Sequence, residues 1–212
     1  MWTILDIISN KDPIPLTVDN TFTMFQFKDD AFSNNYSVFF NPPDTKALTA
    51  FVSTPPTTFS RYDNRGDYFK VMDQLGSTWV QNYFDCYMSP SSLLLDRIQY
   101  FTQKYELLNK KSLAVIYRGT DREIKEDSLS IYLDMCERKV HENSIEQLII
   151  QTEQIQIRNT FISKFQDICI YIEELPGTTG DMAMHFENTL ITHKNSWTMD
   201  LIAMTFALAQ CH

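Results

Sequence analysis

The chain has 212 residues, of which 43% are hydrophobic and 21% charged, and its formal net charge is −9. This composition excludes a disordered or low-complexity chain and suits one large domain or two small lobes. The acidic balance argues against nonspecific nucleic-acid binding, because phosphates require a basic surface.

The four cysteines are widely spaced and form no Cys-x-x-Cys pair, so no zinc site is expected. Cys136 and Cys169 fall in predicted buried elements, and free thiols of this kind indicate the cytoplasm or another reducing compartment. The amino terminus shows no basic region followed by a long apolar run. We therefore expect neither a signal peptide nor a membrane segment.

Residues 1–88 are predicted to form a less regular amino-terminal lobe. The pattern favours a short strand at residues 14–19 and an aromatic strand or short helix at residues 35–43, ended by prolines. A helix is expected to begin at Ser89 as its cap, with Pro90 in the first position. The second predicted domain, residues 89–212, starts there.

The helix that opens this domain is predicted from an apolar stripe at helical spacing, which indicates packing on a sheet. The stripe consists of Leu93, Leu94, Ile98, Phe101 and Tyr105.

The next segment, Ser112–Tyr117, is apolar and rich in β-branched and aromatic residues, as is typical of a buried parallel strand. Arg118 and Gly119 follow at its carboxyl end, where open α/β sheets bind ligands. An arginine there offers a fork of donors for a phosphate, and a glycine lets the backbone approach it. The alternative is an ordinary strand-to-loop turn with a surface salt bridge.

The rest of the chain alternates helices and strands, which predicts βαβ units, a parallel sheet and right-handed crossovers. This is a Rossmann-like arrangement without the glycine-rich dinucleotide fingerprint. The expected elements are a helix at residues 128–139, a strand at 145–151, a helix at 155–165, a strand at 168–172 and a helix at 198–210.

The second strand ends at Thr152 and Glu153, at the same predicted sheet edge as Arg118. A threonine followed by a carboxylate can bind a ribose or a guanine edge, although Thr152 is equally suited to cap the next helix. His185 could form a hydrogen bond with a bound nucleotide or with an acceptor substrate. A lone histidine among apolar neighbours is, however, more often structural.

The pattern Arg118-x-Thr120-Asp121-Arg122-x-x-x-Glu126 after an apolar strand resembles the first motif of the fucosyltransferases that use GDP-fucose. These are the core α-1,6-fucosyltransferases, the nodulation fucosyltransferases and, more distantly, the protein O-fucosyltransferases. The family pattern is His-x-Arg-x-Thr-Asp-Lys-x-x-x-Glu. Here Ile116 stands at the histidine position and Arg122 at the lysine position.

Two later segments also resemble this family. Its second motif is a strand that ends in Thr-Asp-Asp, and here Glu153 and Gln154 replace the two aspartates. The last helix resembles a family helix that bears an aspartate, with Asp200 one turn before the family position, which Met204 occupies. The resemblance further implies a fourth strand and a serine-rich third motif beyond residue 212.

The resemblance implies a GT-B-like α/β fold and an inverting transfer of fucose from GDP-fucose to a glycan or glycoprotein, with no metal or other cofactor. Arg118 would stabilise the departing diphosphate and is the implied catalytic residue. The candidate donor-binding residues are Arg118, Gly119, Thr120, Asp121, Arg122, Glu126, Thr152, Glu153, His185 and Asp200.

Two alternatives stay open at this point. The chain can be a non-catalytic domain that binds a nucleotide-sugar or a glycan, which Ile116, Glu153 and Gln154 favour. It can also be a glycosyltransferase that uses another donor, such as GDP-mannose or a UDP-sugar.

Overall fold

The computed structural model describes residues 36–44, 68–117, 128–179 and 194–211. These fall into two compact units, one of residues 36–44 and 68–93 and the other of residues 94–117, 128–179 and 194–211. The helices are α1 (Tyr36–Phe39), α2 (Tyr68–Tyr87), α3 (Ser92–Lys104), α4 (Ser128–Asn143), α5 (Ile155–Phe165) and α6 (Lys194–Leu208). The strands are β1 (Ser112–Tyr117), β2 (Gln147–Thr152) and β3 (Cys169–Tyr171), and a 3₁₀ turn, Gln166–Ile168, precedes β3.

In the first unit, the segment before α3 is held by the residues that follow α1. Pro90 forms a bridge with Phe40, and its carbonyl accepts a hydrogen bond from the Asn41 side chain at 2.7 Å. Ser91 donates its hydroxyl to the Val38 carbonyl at 2.7 Å. The predicted helix start at Ser89 and Pro90 is therefore wrong, because these tertiary contacts hold the chain extended until Ser92.

The predicted apolar stripe of α3 is confirmed except at its first residue. Leu94, Ile98, Phe101 and Tyr105 are buried, whereas Leu93 is 51% exposed. Consecutive residues on a helix point about 100° apart, so the stripe that contains Leu94 turns Leu93 toward solvent.

The sheet is small and parallel, with strand order β1-β2-β3. The fold of this unit is mixed α/β, with helices flanking the three strands, as the alternation of elements predicts. The bounds of β1 and α5 match the predicted ones. The predicted strand at 145–151 begins two residues too early, because α4 continues to Asn143 and Ile145 donates its N–H to the Val140 carbonyl.

One face of the sheet packs against α4 and α5. Val115 and Tyr117 of β1 and Leu148 and Ile150 of β2 form a buried cluster with side chains from both helices. Because side chains alternate along a strand, Ile116 and the odd-numbered residues of β2 lie on the opposite face. Ile149 on that face is fully buried, but Ile116 is 55% exposed, so β1 is not buried on both faces as its sequence indicates.

Three helix ends use a non-glycine residue with positive φ. Glu106, Ser144 and Gln166 have φ values of 52°, 50° and 44°. At the first two, the next residue donates its N–H five positions back, from Leu107 to Thr102 and from Ile145 to Val140, which is the Schellman closure of a helix.

All four cysteines are free thiols, and burial raises the pKa of Cys136. Burial and the neighbouring Cys136 raise the pKa of Cys169 to about 11. Within the parts of the chain that the structure describes, none of the helices is long and apolar enough to span a membrane.

Candidate functional site

The carboxyl ends of β1 and β2 lie side by side. The parallel register pairs Tyr117 with Thr152 and Ile116 with Gln151, so both strands end at the same edge of the sheet. Arg118 is the next residue after Tyr117 in the sequence. Arg118 lies outside the described residues. The same holds for His185 and for the other predicted site residues that follow β1 in the sequence, which are Gly119, Thr120, Asp121, Arg122 and Glu126.

At the end of β2, Thr152 is buried and its hydroxyl accepts a hydrogen bond from the Gln154 N–H at 3.3 Å. The N-cap residue of α5 is Gln154, so Thr152 does not cap this helix. Glu153 is half-buried beside it. The structure therefore places these two predicted site residues together, next to the end of β1.

A segment after β3 returns to this edge and lines it. Thr178 pairs with Gln154, donates its N–H to the Glu153 carbonyl at 2.6 Å and accepts from the Ile155 N–H at 3.0 Å. The segment also packs closely on α5 at Gly177. A Cβ atom added to this glycine would lie only 2.8 Å from Cγ1 of Ile155, so the site has no room for a side chain. The backbone around Glu153 is thus held by hydrogen bonds with Thr178 and by the bond between Gln154 and Thr152.

Asp200, the remaining predicted site residue, pairs with an arginine of α3. Its Oδ1 lies 2.5 Å from Nε of Arg97, and the two side chains are 15% and 31% exposed. The guanidinium of Arg97 also lies over the rings of Tyr100 and Phe101, at 4.3 and 4.7 Å from their centroids. The hydrogen bond with Asp200 raises the pKa of Arg97, so the guanidinium stays charged.

A residue that the sequence pattern did not single out lies at the same edge, on the face of the sheet opposite to α4 and α5. Gln151 is the register partner of Ile116, and its Oε1 is buried without a hydrogen-bond partner among the described residues. A buried acceptor without a donor is unfavourable and calls for an explanation. In the sequence the only signal is a polar residue directly after the apolar centre of the strand, residues 148–150.

A second polar cluster, also missed in the sequence, lies after β3. The Glu174 carboxylate accepts hydrogen bonds from Tyr100, Tyr105 and Lys104, at 2.8, 2.7 and 2.7 Å. Burial alone raises the pKa of Glu174, but these hydrogen bonds outweigh it and lower the pKa to about 2. The cluster ties the chain after β3 to α3, which is a structural role.

An open groove of about 620 Å³ lies on the outer surface of α4. All its lining residues in the described part of the chain belong to this one helix, so no second described element encloses a ligand there; they are Asp134, Glu137, Arg138, His141 and Glu142. Among the described residues there is no cluster of three His, Cys, Asp or Glu side chains suited to hold a metal ion.

No protein-family model, curated protein or solved structure matches the chain. The function must therefore be argued from the edge formed by β1 and β2 and from the motif that follows β1.

Proposed function

We propose that this chain is a glycosyltransferase that binds GDP-fucose at the carboxyl edge of the sheet and transfers fucose with inversion to a glycan or glycoprotein. In this proposal the α/β unit is a Rossmann-like nucleotide-binding domain of GT-B type. The three-stranded parallel sheet flanked by helices is compatible with such a domain.

The observation that carries the proposal is the register of β1 and β2. Tyr117 pairs with Thr152, so β1 ends beside Thr152 and Glu153, and the arginine motif begins with the next residue in the sequence. Ligands of open parallel sheets bind outside the carboxyl ends of the strands. The two segments that resemble the fucosyltransferase motifs thus start from adjacent positions at the edge where a nucleotide would bind.

The proposed chemistry assigns a role to each of these segments. The Arg118 guanidinium contacts the diphosphate and stabilises the negative charge that develops as GDP leaves. Asp121 and Glu126 would repel a phosphate, so in this proposal they orient the arginines or accept hydrogen bonds from sugar hydroxyls. Glu153 contacts the nucleoside, and Thr152, whose side chain is buried on the face that packs against α4 and α5, supports the backbone that carries Glu153.

A thermal-shift panel with GDP, UDP and ADP tests the proposal. A nucleotide at about 100 times its dissociation constant stabilises the fold by about 2.7 kcal/mol, which for a chain of this size raises the melting temperature by about 5–10 °C. We expect the largest shift with GDP. Equal shifts with all three nucleotides, or no shift, would remove the assignment of a GDP-sugar.

A non-catalytic nucleotide-sugar-binding domain is the second candidate. It is favoured by Asp200, whose carboxylate is engaged with Arg97 at 2.5 Å, so that one acidic group expected at the donor is already in an ion pair. Release of GDP from GDP-fucose, measured with and without a mixture of glycan acceptors, separates the two candidates. An enzyme releases GDP, whereas a binding domain shows the GDP-induced thermal shift without release.

A further inference from the structure

Gln151 and Gln147 lie on the same face of β2, four residues apart, and offer a natural comparison. Both have a buried Oε1 without a hydrogen-bond partner among the described residues. Gln147, at the amino end of the strand, is 2% exposed, and its Nε2 donates to the Tyr105 carbonyl at 2.8 Å and to Ser112 Oγ at 2.7 Å. Gln147 is therefore a structural residue that joins β2 to β1 and to the end of α3.

Gln151 differs in its surroundings. It lies at the carboxyl end of β2, it is half-buried, and its register partner Ile116 is 55% exposed. The face of the sheet is thus exposed to solvent beside Gln151. The Oε1 atoms of the two glutamines are alike in having no partner among the described residues, so what distinguishes Gln151 is its position at the carboxyl edge beside an exposed side chain.

We propose that Gln151 is a specificity-determining residue of the nucleotide site, whose Oε1 accepts a hydrogen bond from a neutral N–H or O–H group of the bound nucleoside. This inference rests on the proposed function, since it places the nucleoside on the face of the sheet shared by Gln151 and Ile116. The donor is an N–H of the base or a hydroxyl of the ribose. Ile116 supplies an apolar surface beside the hydrogen bond.

The physical reason is the cost of the unpaired oxygen. In the free protein a buried acceptor without a donor destabilises the fold, and a bound ligand that supplies the donor removes this cost. A ligand that lacks such a donor leaves the acceptor unpaired, which is how a polar group in a site rejects a near-analogue. The amide carries no charge, so it adds nothing to the attraction of the diphosphate.

The test uses the full chain with Gln151→Met, which keeps the length of the side chain and removes its oxygen, and Gln147→Met as the matched control on the same face. Binding of GDP and of inorganic pyrophosphate is measured by calorimetry, together with the melting temperature of each unliganded protein. We expect Gln151→Met to weaken GDP binding by about 3- to 10-fold, the value of one net hydrogen bond, and to leave pyrophosphate binding unchanged. Its melting temperature should rise, since a buried unpaired oxygen is removed.

Gln147→Met should instead lower the melting temperature and leave GDP binding unchanged. If Gln147→Met fails to fold, Leu95→Ala, at an exposed position on α3, replaces it as the binding control. Repeating the Gln151→Met titration with 2′,3′-dideoxy-GDP separates the two donors: a penalty that persists assigns the base, and one that disappears assigns the ribose.

Three outcomes would overturn the inference while leaving the proposed function in place. These are unchanged GDP binding by Gln151→Met, an equal loss of GDP and pyrophosphate binding, and a fall in the melting temperature of the unliganded variant. A wild-type protein that binds no nucleotide would remove both the inference and the proposed function.

Discussion

Arg97 and Asp200 are 103 positions apart in the sequence, yet Nε of the arginine lies 2.5 Å from Oδ1 of the aspartate. The pair joins α3 to α6, and the rings of Tyr100 and Phe101 support the guanidinium from one side. Both side chains are less than one-third exposed. The ion pair is thus better shielded from solvent than an ordinary surface pair.

We expect this ion pair to stabilise the fold by about 1 kcal/mol, at the upper end of the range for partly exposed pairs. A double-mutant cycle with Arg97→Met and Asp200→Asn, followed by urea denaturation, measures the coupling. The double variant should be more stable than the sum of the two single losses predicts. Strictly additive losses would mean that the two side chains act independently.

Arg118→Ala should weaken the binding of GDP and of pyrophosphate alike, by about 10- to 100-fold, because it removes a charge-assisted contact with the diphosphate. Arg118→Lys should recover only part of this loss, since an ammonium group cannot make the bidentate contact. Calorimetric titration of both variants checks this, with Arg138→Ala, which removes an exposed arginine of α4, as the control for lost charge. An Ala variant that binds GDP like wild type would favour the interpretation of the segment as an ordinary turn.

Glu174 should make stability depend on pH in the acid range. Burial raises its pKa, but hydrogen bonds from Lys104, Tyr105 and Tyr100 outweigh this and lower the pKa to about 2. Because the folded-state pKa is below the unfolded value of about 4.3, the contribution is fully present above about pH 5 and is lost as pH falls toward 2. The free energy of unfolding of wild type should exceed that of Glu174→Gln by about 1–3 kcal/mol at pH 6.

This difference between wild type and Glu174→Gln should shrink steadily between pH 5 and pH 2, as followed by urea denaturation at each pH. Glu173→Gln is the matched control, because that neighbouring side chain is 63% exposed and should show little change. A difference that stays constant down to pH 3 would contradict the lowered pKa.

Gly177→Ala should destabilise the fold by about 1–3 kcal/mol, because the new Cβ would lie 2.8 Å from Cγ1 of Ile155 and 3.2 Å from Nη2 of Arg158. Thermal unfolding measures the loss. In a double variant with Ile155→Ala, which removes the nearest obstacle, the added cost of the alanine at 177 should be smaller. An equal cost in both backgrounds would show that the close approach to α5 is not its cause.

The elements with a clear internal pattern could be predicted from the sequence. The β-branched and aromatic run of β1 and the apolar spacing of α5 predict bounds that the structure confirms. The alternation of helices and strands likewise predicts that the strands of the sheet are parallel. In these segments local preference and burial favour the same conformation, so no distant contact was needed to decide between alternatives.

The ends of several elements could not be predicted in this way. The usual signal for the end of a helix is a glycine, but the positive-φ residues that follow α3, α4 and α5 are Glu106, Ser144 and Gln166. The start of α3 was misplaced because the Pro90 carbonyl is bound by Asn41, which lies 49 positions earlier. Ser89 and Pro90 form a favourable capping pattern when considered alone, but a contact with a residue distant in sequence keeps them outside the helix.

Some features of the candidate site could likewise be predicted from the sequence, and others could not. The sequence alone determined that a polar motif follows β1 and that Thr152 and Glu153 lie at the end of the second strand, because runs of apolar residues end abruptly at both positions. Only the tertiary structure decided that Tyr117 and Thr152 are register partners, that Asp200 faces Arg97, and that the oxygen of Gln151 is buried with no donor in the described part of the chain. Register, ion pairing and hydrogen-bond satisfaction are properties of residues brought together across long sequence separations, and no local pattern encodes which partner a polar side chain will meet.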